Sequence, residues 1–188
     1  MKIAITGSIA CGKSKISEYL VNNGYVVIDT DKLSYSLSLK GNLCYNRIVR
    51  EFEDILLENG EIDRKKLGTI VFNDESKRKL LESIIHPAII KEIEDYNDEG
   101  LVFFEVPLLY EVNLSYLFSK VIVVSCTKEM QMERLIQRNN LTEDEALIRI
   151  NSQIDIKEKE KLADFVIDNN HSFDYSIKQL EEILKGLK

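Results

Sequence analysis

Two glycines, a lysine and a serine near the start of the sequence have the types and the spacing that bind phosphate. Residues 7–14, GSIACGKS, fit the pattern GxxxxGK[ST], with Gly7, Gly12, Lys13 and Ser14 at its defining positions. In this pattern the backbone amides surround phosphate oxygens, the lysine reaches the β- and γ-phosphates, and the hydroxyl binds Mg²⁺. The glycines let the backbone approach the phosphate closely. A strand, turn and helix without a ligand is the alternative interpretation of this stretch.

Acidic residues follow two other apolar segments. Asp29 and Asp31 come directly after residues 25–28, and Glu105 lies near the end of the run LVFFEV at 101–106. Ligands of open parallel sheets bind beyond the carboxyl ends of the strands. Asp31 is therefore a candidate to orient an acceptor hydroxyl and take its proton, and Glu105 to hold Mg²⁺ directly or through water. Capping and turn roles explain the aspartate pair equally well.

Polar and basic side chains in a later predicted helix form a third candidate group. Gln131, Arg134 and Arg138 recur at spacings of three and four residues, so they project from one helix face. Phosphoryl-transfer enzymes with such a phosphate loop carry a lid at this point, whose arginines meet the transferred group. Arg138 is assigned that role, and a solvated helix surface is the alternative.

These candidates need alternating strands and helices to position them. Five short apolar segments predict strands, and helical patterns separate them: residues 2–6, 25–28, 101–106, 120–125 and 163–167. This alternation implies right-handed crossovers and a parallel sheet, and therefore the α/β class.

Local signals predict how several helices begin and end. The predicted N-caps are Asp63, Thr127 and Thr142. Glu145 completes a capping box with Thr142, and that helix is expected to continue through Arg149 and Gln153. A helix over residues 74–85 is expected to end at His86-Pro87, because the residue before a proline avoids the α conformation; Pro87 then opens the next helix.

Apolar residues at helical spacing between residues 32 and 57 are predicted to be core positions. They are Ile48, Val49, Phe52, Ile55 and Leu56.

The composition limits the class of protein. The chain has 188 residues, of which 44% are hydrophobic, so a sizeable core is expected. The net charge of -7 disfavours a nucleic-acid partner. No secretory or membrane-spanning segment is recognised, so a cytoplasmic protein is expected. Cys11, Cys44 and Cys126 lack the spacing of a metal site or a disulfide framework and are predicted to be free thiols.

Seven motifs together resemble the dephospho-CoA kinase family. They are ITGSIACGKS at 5–14, VIDTDKL at 27–33, GEIDRKKLGTIVF at 60–72, HPAI at 86–89, VPLLYE at 106–111, the series Gln131, Arg134 and Arg138, and ADFVIDNN at 163–170. The resemblance implies ATP-dependent phosphorylation of the ribose 3′-hydroxyl of dephospho-CoA, the last step of coenzyme A synthesis. It makes ATP and Mg²⁺ the expected cofactors and dephospho-CoA the expected partner, without nucleic acid or membrane, in a protein expected to be a monomer.

The same resemblance implies a fold and a division of the chain. The fold is a three-layer P-loop nucleoside-triphosphate-hydrolase-like α/β fold, whose five-stranded parallel sheet carries a helical substrate-binding insertion and a lid. The nucleotide-binding core is expected at 1–31, 98–137 and 160–188, the helical CoA-substrate region at 32–97, and the lid at 138–159.

Individual positions also carry over from the family. Asp31 matches the acceptor-site aspartate, and Asp29 matches the first acid of that motif. The resemblance implies ATP-phosphate contacts at Gly7, Ala10, Cys11, Gly12, Lys13, Ser14 and Lys15. It implies substrate contacts at Asp29, Asp31, Arg64, His86 and Leu108. Lys13, Asp31 and Arg138 are the expected catalytic residues.

The sequence departs from the family pattern at two places. Ser8, Ala10 and Cys11 stand where Gly, Gly and Ser are common, and Ser34-Tyr35 stands where Ala-Arg is common. A phosphate or substrate contact is therefore expected either to be missing or to be supplied by Lys32 or Arg64. One hypothesis is that the thiol of Cys11, at a helix N-terminus, has a lowered pKa and reacts readily; the sequence leaves open whether this makes the protein sensitive to oxidation.

Two other functions remain open on the sequence alone. One is a kinase of another small acceptor, such as a nucleoside monophosphate or shikimate. The other is a nucleotide-dependent switch without turnover, although the NKxD and DxxG motifs of GTPase switches do not occur in the sequence.

Overall fold

The structure is a computed structural model that describes residues 1–97 and 99–187. Positions 98 and 188, which the predicted core ranges include, lie outside the described residues. Two compact units are present: one comprises Met1–Asp29 and residues 99–187, and the other comprises Thr30–Asn97. The predicted lid, residues 138–159, falls within the first unit.

A five-stranded sheet forms the centre of the first unit. Its strands are β1 (Lys2–Thr6), β2 (Val26–Asp29), β3 (Val102–Glu105), β4 (Lys120–Ser125) and β5 (Phe165–Asp168). The strand order is β2-β3-β1-β4-β5, and all four pairings are parallel. The predicted parallel α/β sheet is therefore confirmed. β1 lies in the middle of the sheet, so the loop that follows it emerges at the centre of the carboxyl edge.

The α-helices in the described part of the chain are α1 (Lys13–Asn22), α2 (Thr30–Leu37), α3 (Tyr45–Glu51), α4 (Arg64–Asn73), α5 (Glu75–Asp95), α6 (Lys128–Asn139), α7 (Glu143–Asn151), α8 (Ile156–Leu162) and α9 (Phe173–Leu187). Within it, no α-helix separates β3 from β4, so the prediction that helices lie between all the strands is wrong there. The other connections contain α-helices, and a further helix follows β5. A 3₁₀ turn at Ser115–Leu117 precedes β4. Among the described residues, no helix has the length and apolar character needed to cross a membrane.

Side chains of α1 and α9 pack on the sheet and fix the helix that follows the phosphate-binding loop. Ile16 and Leu20 of α1 and Leu180 of α9 join a buried cluster with sheet residues that include Ile3 and Ile5. Each such side chain stabilises the fold by about 1.5–3 kcal/mol when fully buried. The N-terminus of α1 is thus held against the centre of the sheet.

The predicted caps are present. The Asp63 side chain accepts a hydrogen bond from the Lys66 amide at 3.0 Å, and the Thr127 hydroxyl accepts one from Met130. Thr142 and Glu145 form the reciprocal capping box at the start of α7. The predicted extent of α7 is wrong, because the helix ends at Asn151 and Gln153 lies in the link to α8.

The predicted break at His86-Pro87 is also wrong. α5 runs without interruption from Glu75 to Asp95 with Pro87 inside it. Proline removes one backbone hydrogen bond and usually kinks or ends a helix. Here a long stretch of helix flanks it on both sides, and the buried side chains Ile84, Ala88, Ile89 and Ile93 stabilise the continuous form.

The core prediction for the second unit is correct at Ile48, Phe52 and Ile55, which are buried, and wrong at Leu56, which is 45% exposed. Leu56 forms an isolated antiparallel bridge with Ile62. The chain is extended there, so neighbouring side chains point to opposite sides and only Ile55 faces the core.

Candidate active site

The phosphate-binding loop, residues 7–14, connects β1 to α1. Lys13 is buried, and its Nζ donates hydrogen bonds to the carbonyl oxygens of Gly7 at 3.0 Å and Ser8 at 3.1 Å. The N-cap of α1 is Gly12, which has no side chain to occupy the first amides of the helix. A lysine ammonium and the positive end of a helix dipole therefore meet in one loop, which favours an anionic ligand.

Both glycines of the loop lie where a side chain would not fit. A Cβ atom at Gly7, where φ is +150°, would lie 2.2 Å from the carbonyl oxygen of Val124. A Cβ atom at Gly12, where φ is +96°, would lie 2.2 Å from Nδ2 of Asn169. The spacing of the sequence pattern is thus required by the close approach of the loop to β4 and to the segment that follows β5.

Ala10 has the left-handed conformation that usually favours glycine. Its φ is 61°. A residue with a Cβ atom pays roughly 1–2 kcal/mol in this conformation. The departure from the glycine common at this position is therefore accommodated by strain in the loop.

Ser14 and Glu105 bring a hydroxyl and a carboxylate together beside the loop. The Ser14 hydroxyl donates a hydrogen bond to Oε1 of Glu105 at 3.1 Å. Glu105 is buried at the end of β3, and its Cα pairs in register with that of Asp29 at the end of β2. Hard oxygen donors of this kind suit Mg²⁺, which usually takes one or two protein carboxylates together with phosphate oxygens. Ser14 and Glu105 therefore provide oxygen atoms that suit the expected Mg²⁺.

Arg134 and Asn169 attach the phosphate-binding loop to α6 and to the end of β5. The guanidinium of Arg134 donates to the carbonyl oxygens of Ala10 at 3.2 Å and Asn169 at 3.0 Å. The side-chain amide of Asn169 donates to the Cys11 carbonyl at 2.7 Å. The sequence predicted that Arg134 shares one helix face with Gln131 and Arg138. Only Arg138, however, was predicted to be catalytic.

The helix face with Arg134 is only partly solvated. Gln131 is buried and contacts the loop, whereas Arg138 is exposed at the end of α6 and donates to Oδ1 of its neighbour Asn139 at 2.9 Å. The role of Arg138 in phosphoryl transfer stays a prediction.

The link between α7 and α8 also contacts the phosphate-binding loop. The Ile9 amide donates to Oε1 of Gln153 at 2.8 Å, and the Ser8 hydroxyl lies 3.4 Å from the carbonyl oxygen of Ile154. The amide of Ile154 in turn donates to Oε1 of Glu111 at 3.1 Å. Nothing in the local sequence pattern around Gln153 indicated this contact.

Glu111 forms a buried ion pair with α8. Nζ of Lys159, which is fully buried, lies 2.7 Å from Oε1 of Glu111. The other carboxylate oxygen, Oε2, is buried without a hydrogen-bond partner among the described residues. The end of the VPLLYE motif is thus tied to both α8 and the link that precedes it.

Two thiols meet behind the phosphate-binding loop. The Cys126 thiol donates to the Cys11 sulfur at 3.4 Å, and Nε2 of Gln131 donates to the same sulfur at 2.9 Å. The bond from Cys126 lowers the pKa of Cys11 to about 6; the Gln131 bond and the Lys13 charge add to this effect, and burial opposes it. The shared bond and burial raise the pKa of Cys126. All three cysteines are free thiols, as predicted.

The predicted acceptor residues are distributed over both units. Asp31 is exposed in the first turn of α2, and His86 is half-buried within α5, both in the second unit. Leu108, in the first unit, is 44% exposed in the turn after β3. Their contacts with substrate stay predictions.

Arg64 and Tyr35 contact each other within the second unit. The Arg64 guanidinium carbon lies 4.3 Å from the centroid of the Tyr35 ring, and its Nη2 donates to the Tyr35 carbonyl at 3.1 Å. Arg64 therefore lies beside the position where the family commonly has arginine. Both residues line a cavity of about 330 Å³ together with Lys40 and Asp63.

Comparisons with known proteins agree with these features. The family model described as dephospho-CoA kinase matches residues 1–174. A dephospho-CoA kinase from Listeria innocua is 45% identical over 185 residues, covering 95% of this chain and 92% of the relative. The solved dephospho-CoA kinase from Campylobacter jejuni is 36% identical with a TM-score of 0.74, covering 99% of each chain.

A more distant structure shares only the fold. Shikimate kinase from Acinetobacter baumannii has a TM-score of 0.57 at 15% identity, covering 98% of this chain and 93% of its own. The predicted P-loop α/β fold is confirmed by this likeness.

Proposed function

The chain belongs to the dephospho-CoA kinase family, which uses ATP to phosphorylate the ribose 3′-hydroxyl of dephospho-CoA in coenzyme A synthesis, and from that premise we propose which of its residues carry the reaction. The observation that carries the proposal is the group formed by Lys13, Ser14 and Glu105. Nζ of Lys13 donates to two carbonyl oxygens of the loop. The next residue, Ser14, donates its hydroxyl to the carboxylate of Glu105 at the end of β3. This arrangement combines the charges that a nucleoside triphosphate and its metal require.

The donor side of the reaction belongs to the phosphate-binding loop. The amides of residues 7–15, including those of Ala10, Cys11 and Lys15, surround the β- and γ-phosphates of ATP. Lys13 exchanges its contacts with the Gly7 and Ser8 carbonyls for phosphate oxygens. Such fixed donors stabilise the charge on the transferred group without reorganisation at the moment of reaction.

Ser14 and Glu105 are the residues that would hold Mg²⁺, Ser14 directly and Glu105 through water. The bound ion neutralises charge on the β- and γ-phosphates. The Ser14 hydroxyl, which donates to Glu105 in this structure, would contact the ion instead.

The acceptor side of the reaction belongs to Asp31. Its carboxylate orients the ribose 3′-hydroxyl and accepts the proton as the phosphoryl group is transferred. Arg138 neutralises charge on that group when the lid, residues 138–159, closes. Asp29, Arg64, His86 and Leu108 contact the dephospho-CoA substrate, for which the helical region 32–97 provides the surface. We also propose a cytoplasmic monomer.

A coupled assay of ADP release tests which acceptor the protein phosphorylates. Dephospho-CoA, AMP, UMP and shikimate are compared as acceptors at equal concentration. Stimulation by dephospho-CoA alone supports the assignment. A chain that releases ADP with another acceptor, or with none, would have a different function.

Variants test the proposed residues. Lys13→Ala and Asp31→Asn are each expected to lower kcat by at least a factor of 100 without loss of the folded state, checked by circular dichroism. Lys178→Ala, at an exposed position of α9 outside the proposed contacts and the substrate region, serves as the matched control. Near-normal turnover of either site variant would remove that residue from the mechanism.

A further inference from the structure

Cys11 and Cys126 form a thiol pair that the proposed reaction does not use. Their sulfur atoms are 3.4 Å apart, and the side chains are 0% and 1% exposed. Cys11 belongs to the phosphate-binding loop, and Cys126 directly follows β4. A disulfide has a sulfur–sulfur bond of about 2.05 Å, so the two atoms need to approach by roughly 1.4 Å.

The environment of Cys11 favours its role as the attacking sulfur. The amide of Gln131 and the thiol of Cys126 both donate hydrogen bonds to it, and such bonds stabilise the thiolate form. The nearby Lys13 ammonium acts in the same direction. The thiolate is the nucleophile in thiol oxidation, and a low pKa next to a second cysteine is typical of redox-active pairs.

Cys44 provides a contrast within the same chain. It is buried in the second unit, its thiol lies 3.6 Å from the Ile84 carbonyl, and burial raises its pKa. No other cysteine is available to resolve its oxidised form within that unit, because the sequence has only three.

We propose that Cys11 and Cys126 are a reversible oxidation site, at which a peroxide forms a disulfide that prevents nucleotide binding. The Cys11 thiolate attacks one peroxide oxygen, the oxygen–oxygen bond breaks, and the leaving oxygen departs as water after taking a proton. Cys11 is then a sulfenic acid. The sulfur of Cys126 attacks it, the sulfur–oxygen bond breaks, and the hydroxyl leaves as a second water with the proton of Cys126. A dithiol reductant restores both thiols.

The disulfide acts through the position of the phosphate-binding loop. The Cys11 carbonyl accepts a hydrogen bond from the side-chain amide of Asn169, and the same amide lies close to Gly12, so this part of the loop is held against the segment after β5. Drawing Cys11 toward Cys126 therefore moves the loop amides that would surround the phosphates. Because neither sulfur is exposed, the peroxide reaches Cys11 only when the loop opens, and a bound nucleotide slows the oxidation.

Mass spectrometry and nucleotide binding on the purified full chain test this proposal without reference to dephospho-CoA. After treatment with hydrogen peroxide, a peptide joining Cys11 to Cys126 is expected, together with at least a tenfold loss of affinity for a fluorescent ATP analogue. Dithiothreitol should restore the affinity, and ATP present during oxidation should reduce the yield of the joined peptide. Because these readouts do not depend on the acceptor, failure of the proposed kinase reaction would be seen separately.

Two replacements at Cys126 and one at Cys44 sharpen the test. Cys126→Ser and Cys126→Ala should yield no joined peptide and should accumulate a sulfenic acid at Cys11, trapped with dimedone; two replacements guard against misfolding of one. Cys44→Ser keeps the pair and should match the wild type. Absence of the joined peptide in the wild type, or unchanged ATP affinity once it has formed, would overturn the proposal.

Discussion

The ion pair between Lys159 and Glu111 is expected to contribute strongly to the free energy of unfolding. Lys159→Met keeps the apolar stem but leaves Glu111 without its counter-charge, and the Glu111 side chain is only 16% exposed. Loss of one partner from a buried pair costs about 3–5 kcal/mol. Because some water reaches Glu111, we expect a loss of about 3 kcal/mol in the free energy of unfolding. This corresponds to a decrease in Tm of roughly 6–12 °C for a chain of this size.

Urea unfolding followed by circular dichroism measures this loss. The double variant Lys159→Met/Glu111→Gln removes both charges and keeps an oxygen to accept the Ile154 amide. It should therefore return to within about 1 kcal/mol of the wild type.

Lys157→Met is the matched control, since Lys157 is on the same helix with a side chain that is 70% exposed and paired with Glu160. Exposed pairs contribute little, so a change within about 0.5 kcal/mol is expected. A loss below about 1 kcal/mol for Lys159→Met, or no recovery in the double variant, would refute the reasoning.

Three further changes probe the phosphate-binding loop. Arg134→Met removes the hydrogen bonds to the Ala10 and Asn169 carbonyls and should raise KM for ATP about tenfold in steady-state kinetics, with a smaller effect on kcat. Ala10→Gly relieves the positive φ and should raise the free energy of unfolding by about 0.5–1 kcal/mol; an unchanged or lower urea midpoint would contradict the strain. Cys11 has a pKa lowered to about 6, so the thiolate fraction rises as pH increases through that value. Its alkylation rate by iodoacetamide, in the nucleotide-free protein, should therefore have a midpoint near pH 6, and a midpoint near 8.5 would contradict the assigned hydrogen bonds.

The sequence predicted those features that depend on neighbouring residues. The loop pattern, the strands and the N-caps depend on residue types a few positions apart, and the caps Asp63, Thr127 and Thr142 were all found. The parallel sheet followed from the alternation of strands and helices, because few topologies are compatible with it.

The missed features depend on contacts between distant parts of the chain. Arg134, Gln153 and Asn169 contact the phosphate-binding loop across 124 to 158 positions, which no local pattern encodes. The break predicted at Pro87 failed for a related reason, since tertiary burial of α5 outweighs a local preference.

The hydrogen bond between Asn169 and Cys11 links the site to the order in which the chain is synthesised. The two residues are 158 positions apart, so at about 5–20 residues per second the loop precedes its anchor by roughly 8–30 s. During that interval the growing chain has the phosphate-binding sequence but not the contacts that hold it in shape. On the proposed function, ATP is therefore expected to stabilise the growing chain only once Asn169, which directly follows β5, has been made.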